Sequence, residues 1–332
     1  MKIVNIIGAG LIGQERMKAV AKLQASGIPI KVGWVYDPYQ QKLNILSVEH
    51  GFKTTEDINR FYDQPADLVV VSCPHDIATD HTCNALQAGH CVLIEKPIGR
   101  NYLETQRIAE AAGIEKRLFV GLNYRFMPGV ATLIEDWHGG QFGKPISLSM
   151  QIGHGGKPGD EKTWKLDPIR CGGGALLDPG IHMLDLCRLM TGSNLTIQAV
   201  TSWSGFWKTG IEEEVRLLLQ NGDVAIALEV SVVRWRSHFE IFAQGTEGYG
   251  IVTGRGRSYG IQRYRRGKRW GWQYAKDQAA SEEVVLEDSC ENSFADELAA
   301  CLNLKGINSA RPADLKDGLG LMELYQDIKA RL

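Results

Sequence analysis

An apolar run over residues 2–7 leads straight into Gly8-Ala9-Gly10-Leu11-Ile12-Gly13, and a helical pattern follows over residues 11–26. A strand that turns on glycines into a helix opens a βαβ unit. Gly8 permits the tight turn, Gly10 lets backbone approach a pyrophosphate, and Gly13 lets helix pack closely on strand. The exposed N–H groups and dipole of a helix start favour an anion there. Gly8, Gly10, Leu11, Ile12 and Gly13 are therefore the expected dinucleotide-binding residues. Asp37 follows the next strand, where a carboxylate accepts hydrogen bonds from ribose hydroxyls and repels a 2′-phosphate. Pro38 comes next rather than an arginine, so NAD is favoured over NADP. The alternative makes Asp37 a turn residue before proline.

The rhythm continues, with strands expected at 31–36, 67–72, 91–94 and 118–121 and helices at 40–50, 78–88 and 102–112. Apolar strands alternating with helices predict an α/β Rossmann domain with a doubly wound parallel sheet over residues 1–123. Beyond residue 124 a helix is expected at 130–137. Strands follow at 145–152, 197–204, 213–220, 224–233, 237–244 and 249–252. Runs of strands without helices between them predict an α+β domain with a large, mostly antiparallel sheet over 124–332. Helices return at 293–304 and 314–332.

Seven cysteines lie scattered with no Cys-x-x-Cys pair, the pattern of reduced thiols. No apolar run approaches a membrane span. The opening strand leaves no room for a signal peptide, so a cytoplasmic protein is expected. A net charge of −2 argues against general affinity for nucleic acid or anionic membranes. The stretch 255–269 is nonetheless rich in arginine and interleaved with aromatic residues, and the acidic segment 282–291 follows. A solvated hairpin, a subunit contact, or an arm reaching substrate phosphate are its open readings.

Chemistry gathers at the strand ends, because ligands bind at the carboxyl ends of parallel strands. Ser72-Cys73-Pro74, Glu95-Lys96-Pro97 and Asn123-Tyr124-Arg125 occupy such positions. Ser72, Pro74, Glu95, Lys96 and Asn123 are expected around the cofactor. Lys96 is positioned to reach substrate too, the alternative being a snorkelling surface lysine. Residues 172–185 read Gly-Gly-Gly-Ala-Leu-Leu-Asp-Pro-Gly-Ile-His-Met-Leu-Asp. On a helix, Asp178 and His182 would share a face about 5–6 Å apart at Cβ, a pair able to bind a polar substrate and move a proton. Pro179 leaves open that Asp178 is instead the helix N-cap.

With these motifs in this order, the chain resembles the glucose–fructose oxidoreductase / inositol dehydrogenase / MocA (Gfo/Idh/MocA) family over nearly its whole length. The resemblance implies that Lys96, Asp178 and His182 handle substrate. It implies oxidation or reduction of a secondary hydroxyl of a sugar, polyol or nucleotide sugar. It also implies a homodimer or homotetramer formed through the C-terminal sheet.

In this reading His182 is general acid/base, its ordinary pKa lying near neutrality. Lys96 polarises the reacting oxygen, and Asp178 binds a neighbouring hydroxyl or orients His182. Tyr124, Arg125 and Trp164 are expected on the substrate side, with Arg125 alternatively tying domains together and Trp164 alternatively core. Asp185 either holds the imidazole tautomer or pairs with Arg188. The glycines of 153–159 would let that segment close over substrate, a plain surface loop being the alternative. No further ligand joins Asp178, His182 and Asp185, so no metal site is expected. Two rival functions share the cofactor: an NAD-dependent glycosidase working by transient C3 oxidation and elimination, and a non-catalytic dinucleotide-binding regulator.

Overall fold

The computed structural model describes residues 1–114, 117–273, 281–304 and 310–332. It comprises two compact units, Met1–Asn123 with Phe294–Met322, and Tyr124–Ser293 with Glu323–Leu332.

The first unit runs β1 (Lys2–Ile7), α1 (Leu11–Ala25), β2 (Ile30–Tyr36), α2 (Gln40–His50), β3 (Lys53–Thr54), α3 (Ile58–Tyr62), β4 (Leu68–Val71), α4 (His75–Gln87), β5 (Val92–Glu95), α5 (Tyr102–Ala112) and β6 (Leu118–Gly121). The strands lie in the order β3-β2-β1-β4-β5-β6 and are all parallel. The order reverses between β1 and β4, so the glycine turn after β1 and Ser72 after β4 meet at the switch point. Every residue of β4 is fully buried, which is why Leu-Val-Val-Val shows no polar alternation.

The second unit contains α6 (Pro128–His138), β7 (Pro145–Gly153), α7 (Pro168–Cys171), α8 (Gly180–Thr191), β8 (Thr196–Trp203), β9 (Glu214–Asn221), β10 (Val224–Ser231), β11 (His238–Gly245), β12 (Gly248–Thr253), β13 (Gln262–Lys268) and β14 (Glu282–Asp288). Its sheet order is β14-β13-β12-β11-β7-β10-β9-β8. All neighbours are antiparallel except β7 and β10. Helix α8 packs on β7 and β10, and α6 on β12, β13 and β14. Residues alternate accordingly: Val215, Leu217 and Leu219 of β9 are buried while Leu218 is 53% exposed.

Two differences from the sequence reading have physical causes. Phe294–Met322, expected in the second domain, belongs to the first unit. Ala295, Leu298 and Ala299 of α9 (Ser293–Cys301) fill the core around Val4, Leu68 and Leu93. β15 (Ala313–Asp314) then pairs antiparallel with β6, and α10 (Leu315–Lys329) follows. An apolar helical face records that it is buried, not which core buries it. Residues 262–268 of the basic stretch form β13, paired with acidic β14 through Arg263–Glu287 at 2.5 Å, Arg265–Glu282 at 2.6 Å and Arg266–Glu283 at 2.9 Å. Along these residues opposite charges directly across a strand pair attract.

Candidate active site

The glycine turn has the geometry a pyrophosphate needs. Gly8 sits at φ +95°, and a Cβ there would lie 2.8 Å from the Ser72 carbonyl group. A Cβ at Gly13 would lie 1.9 Å from the Gly8 oxygen, whereas one at Gly10 would meet nothing within 4 Å. Two glycines thus serve packing and the third leaves open space at the start of α1. That helix begins without a side-chain cap or an acidic residue in its first turn, and Leu11 beside it is 64% exposed. The Ser72 hydroxyl donates to the carbonyl oxygens of Ile7 (3.1 Å) and Gly8 (2.9 Å), so its side chain braces the turn. Pro74 immediately precedes α4. Asp37 braces the turn with both carboxylate oxygens. One carboxylate oxygen accepts from the Ala9 N–H at 2.7 Å and the other from the Tyr39 N–H at 2.9 Å. Each oxygen keeps a second lone pair for a ribose hydroxyl.

At the end of β5, Glu95 faces inward to Arg16. The Arg16 guanidinium donates to Glu95 at 2.6 Å and to Glu297 at 2.6 Å, and both the Arg16 and Glu297 side chains are fully buried. Burial, and then the neighbouring Glu95, push the Glu297 carboxyl up to about 7 against the pull of Arg16. Neither Arg16 nor Glu297 was expected. Arg16 stands three residues after Gly13 on the buried face of α1, a signal that could have been read; Glu297 offered none. Lys96 is half-buried and joined to Pro97 by a cis bond, and Asn123 is buried.

In the second unit Gly173 and Gly174 are demanded by close packing, and Gly172 stands in the left-handed region at φ +91°. A Cβ at Gly173 would lie 2.3 Å from the Tyr325 hydroxyl, and one at Gly174 would lie 2.0 Å from the Glu212 carbonyl oxygen. Residues 175–179 form turns, with the Asp178 N–H donating to Gly174 at 2.9 Å. Helix α8 starts only at Gly180 with Pro179 before it, so Asp178 is neither the N-cap nor on the helix face that carries His182. The proline lies between them and is cis-bonded.

His182 is buried, its ring stacked on Tyr124 with centroids 3.8 Å apart and planes 3° from parallel. Phe239 meets Tyr124 edge-on at 5.8 Å. The Arg255 guanidinium lies 5.2 Å from the Tyr124 ring and 3.8 Å from that of Tyr259. Burial pushes the Tyr124 hydroxyl above its ordinary pKa. Tyr124 is thus 5% exposed and supports the imidazole as a packing partner.

Arg125 and Asp185 form a buried two-pronged pair at 2.8 and 2.5 Å, both within the second unit. Neither sequence reading named this partner. Asp178 lines a pocket of ≈ 80 Å³ with His154, Asp160, Lys165 and Trp207; His182 does not line it. Trp164 is half-buried in a short 3₁₀ turn beside Lys165. The glycines at 155 and 156 pack on Trp235 and Trp207, where a Cβ would approach to 2.8 and 2.9 Å. They serve close approach to these rings, which the lid reading did not foresee. Among the described residues no group of His, Cys, Asp and Glu could hold a metal ion, and no helix is long and apolar enough to cross a membrane.

Residues 2–123 match the oxidoreductase family with NAD-binding Rossmann fold, and residues 130–250 match the GFO/IDH/MocA C-terminal domain. The chain is 27% identical over 227 residues to the rhizopine catabolism protein MocA of Rhizobium meliloti, covering 66% of this chain and 68% of the relative. It is 28% identical over 253 residues to 1,5-anhydro-D-fructose reductase of Ensifer adhaerens, covering 74% and 73%. Several other relatives are covered over little more than half their length, as with levoglucosan dehydrogenase of Pseudarthrobacter phenanthrenivorans at 53%. The solved structure of levoglucosan dehydrogenase in complex with NADH and levoglucosan shares the fold, with a TM-score of 0.84 at 18% identity over 99% of this chain and 96% of that one.

Proposed function

We propose that this chain, which belongs to the Gfo/Idh/MocA oxidoreductase family and carries its NAD-binding Rossmann domain, is a dehydrogenase acting on a secondary hydroxyl of a sugar, polyol or nucleotide sugar. The observation that carries the reading is His182. It is a buried imidazole held flat on Tyr124 at the start of α8, four residues after a carboxylate that opens into a pocket.

Bound NAD supplies the hydride acceptor. Oxidation of an alcohol also requires the hydroxyl proton to leave, and His182 takes it, returning it in the reverse direction. Stacking on Tyr124 limits the imidazole to one plane, which preserves its aim. Lys96 donates a hydrogen bond to the reacting oxygen and stabilises the negative charge that develops there. Asp178, with Lys165 and His154 around the same pocket, receives neighbouring hydroxyls, and the Trp207 ring offers an apolar wall to a sugar face. Relatives named levoglucosan dehydrogenase and myo-inositol 2-dehydrogenase support this substrate class.

Asp37, holding the glycine turn and facing the ribose, sets a preference for NAD over NADP. The open outer face of the second sheet, where Leu218 and Trp203 are each 53% exposed, is the surface through which two or four copies associate. The test is NAD reduction across a panel of sugars, polyols and nucleotide sugars. His182→Ala should lower kcat by 10²–10⁴-fold, about the contribution of a general base; undiminished turnover would remove the histidine from its role. Asp37→Ala should weaken NAD more than NADP, and equal losses would undo the ribose assignment.

A further inference from the structure

Most of the arginines in the basic stretch answer an acid. Arg263, Arg265, Arg266 and Arg269 pair with Glu287, Glu282, Glu283 and Glu247. Arg255 differs. It lies two residues past the end of β12, half-buried, and no carboxylate among the described residues lies within ion-pair distance of it. Its Nε is buried without a hydrogen-bond partner, and so is the neighbouring Tyr259 hydroxyl.

A half-buried guanidinium with no carboxylate at ion-pair distance keeps a desolvation cost, and stacking on tyrosine offsets only part of it. The two rings dictate what remains available. Tyr259 covers one face at 3.8 Å and Tyr124 lies at 5.2 Å. The in-plane edge bearing Nε is left, and a guanidinium edge offers two parallel N–H donors matched to two oxygens of one anionic group. Tyr259 adds a hydroxyl donor beside it. The same Tyr124 ring carries His182, and Asp178 acts electrostatically on Tyr124 and Arg255. This guanidinium, which meets Tyr259 and keeps its Nε unbonded, therefore sits within the constellation assigned above to proton transfer.

We infer that Arg255 and Tyr259 form a subsite for an anionic group of the substrate, a carboxylate or a phosphate, so that the preferred substrate is a sugar acid or a phosphorylated sugar. The inference rests on the sugar-directed reading of His182 and Asp178. It goes further by giving the substrate a charge.

The probes are D-glucuronate, D-glucose 6-phosphate and D-glucose. Each is measured by titration calorimetry and by NAD reduction on the full chain. Wild type should bind one of the two anionic probes more tightly than D-glucose. Arg255→Gln should lower the ratio of anionic to neutral affinity by about 10–100-fold, the worth of a charged hydrogen bond. Arg255→Lys, which keeps the charge but not the fork, separates the sources. It should recover phosphate binding in part and carboxylate binding little. Anionic probes bound no better than D-glucose, or a ratio that Arg255→Gln leaves unmoved, would overturn the subsite. If that happens while His182→Ala still abolishes turnover, only this inference falls. If anion binding follows Arg255 but no probe or panel sugar is oxidised, the dehydrogenase reading falls and the subsite stands.

Discussion

Two guanidiniums in this molecule, one fully buried and one half-buried, face opposite imbalances. In the first unit Arg16 is enclosed by two carboxylates, Glu95 and Glu297, both at 2.6 Å. In the second, Arg255 is enclosed by two tyrosine rings and meets no carboxylate at ion-pair distance among the described residues. Arg125, paired with Asp185 through both carboxylate oxygens, lies between these extremes. An excess of acid inside a sealed core can be relieved only by a proton. An excess of base beside a catalytic candidate can be relieved by a ligand. The two sites should therefore respond to different variables, pH at the first and anions at the second.

The largest effect expected from this contrast is on stability. Arg16→Met would leave Glu95 and Glu297 facing each other without their cation, and stranding buried charge costs about 3–5 kcal/mol. The urea midpoint of the unit should fall accordingly. An unchanged midpoint would mean that the three groups are not coupled as the hydrogen bonds indicate.

Next in size is the proton. The folded-state pKa of Glu297 is raised to about 7, above the ordinary unfolded value of about 4.3. The folded chain therefore binds more protons than the unfolded chain between those limits, and its stability falls as pH rises from about 4 to about 7. Below that window the protonated group's contribution is fully present, and above it the loss is complete, on the order of 4 kcal/mol. Glu297→Gln should flatten this decline while retaining a hydrogen bond to Arg16. Equal slopes of stability against pH in wild type and variant would show that Glu297 is ionised throughout.

The contrast also explains which parts could be read from the chain. Helices Gln40–His50 and Tyr102–Ala112 and strands Lys2–Ile7 and Leu118–Gly121 fall where periodicity puts them, because local pattern reports local structure. The glycine turn was equally legible, since its spacing is set by its own backbone. Arg16 and Glu297 are 281 residues apart, and nothing local joins them. Nothing near Gly173 and Gly174 in the chain shows why they are glycine, because the groups that crowd them, Tyr325 and Glu212, are remote. Asp178 and His182 looked like one helix face because the spacing was right, and Pro179 moved the helix start past Asp178. Burial and charge balance are collective properties, and a motif shows them only when its partners lie within it.

Arg255→Met should cost far less than Arg16→Met, about 1 kcal/mol or less, because it leaves no carboxylate behind and an apolar chain of similar length can lie between the rings. A loss comparable to that of Arg16→Met would break the contrast. It would show that the tyrosine stack holds the cation as part of the fold rather than in readiness for a ligand.

The smallest effect belongs to charges that water already satisfies. Arg263 and Glu287 face each other across β13 and β14 at 2.5 Å, with side chains 55% and 46% exposed. High dielectric weakens their attraction, and ordering two long side chains opposes it, so Arg263→Ala should change stability by about 0.5 kcal/mol or less. That change should shrink further as salt is raised towards 1 M, where screening acts within about 3 Å. The Arg16 variant should show no comparable salt dependence, because its partners are sealed from ions. A salt response of equal size at both places would mean that water reaches Arg16, and the distinction between a proton-relieved core and a solvent-relieved surface would be lost.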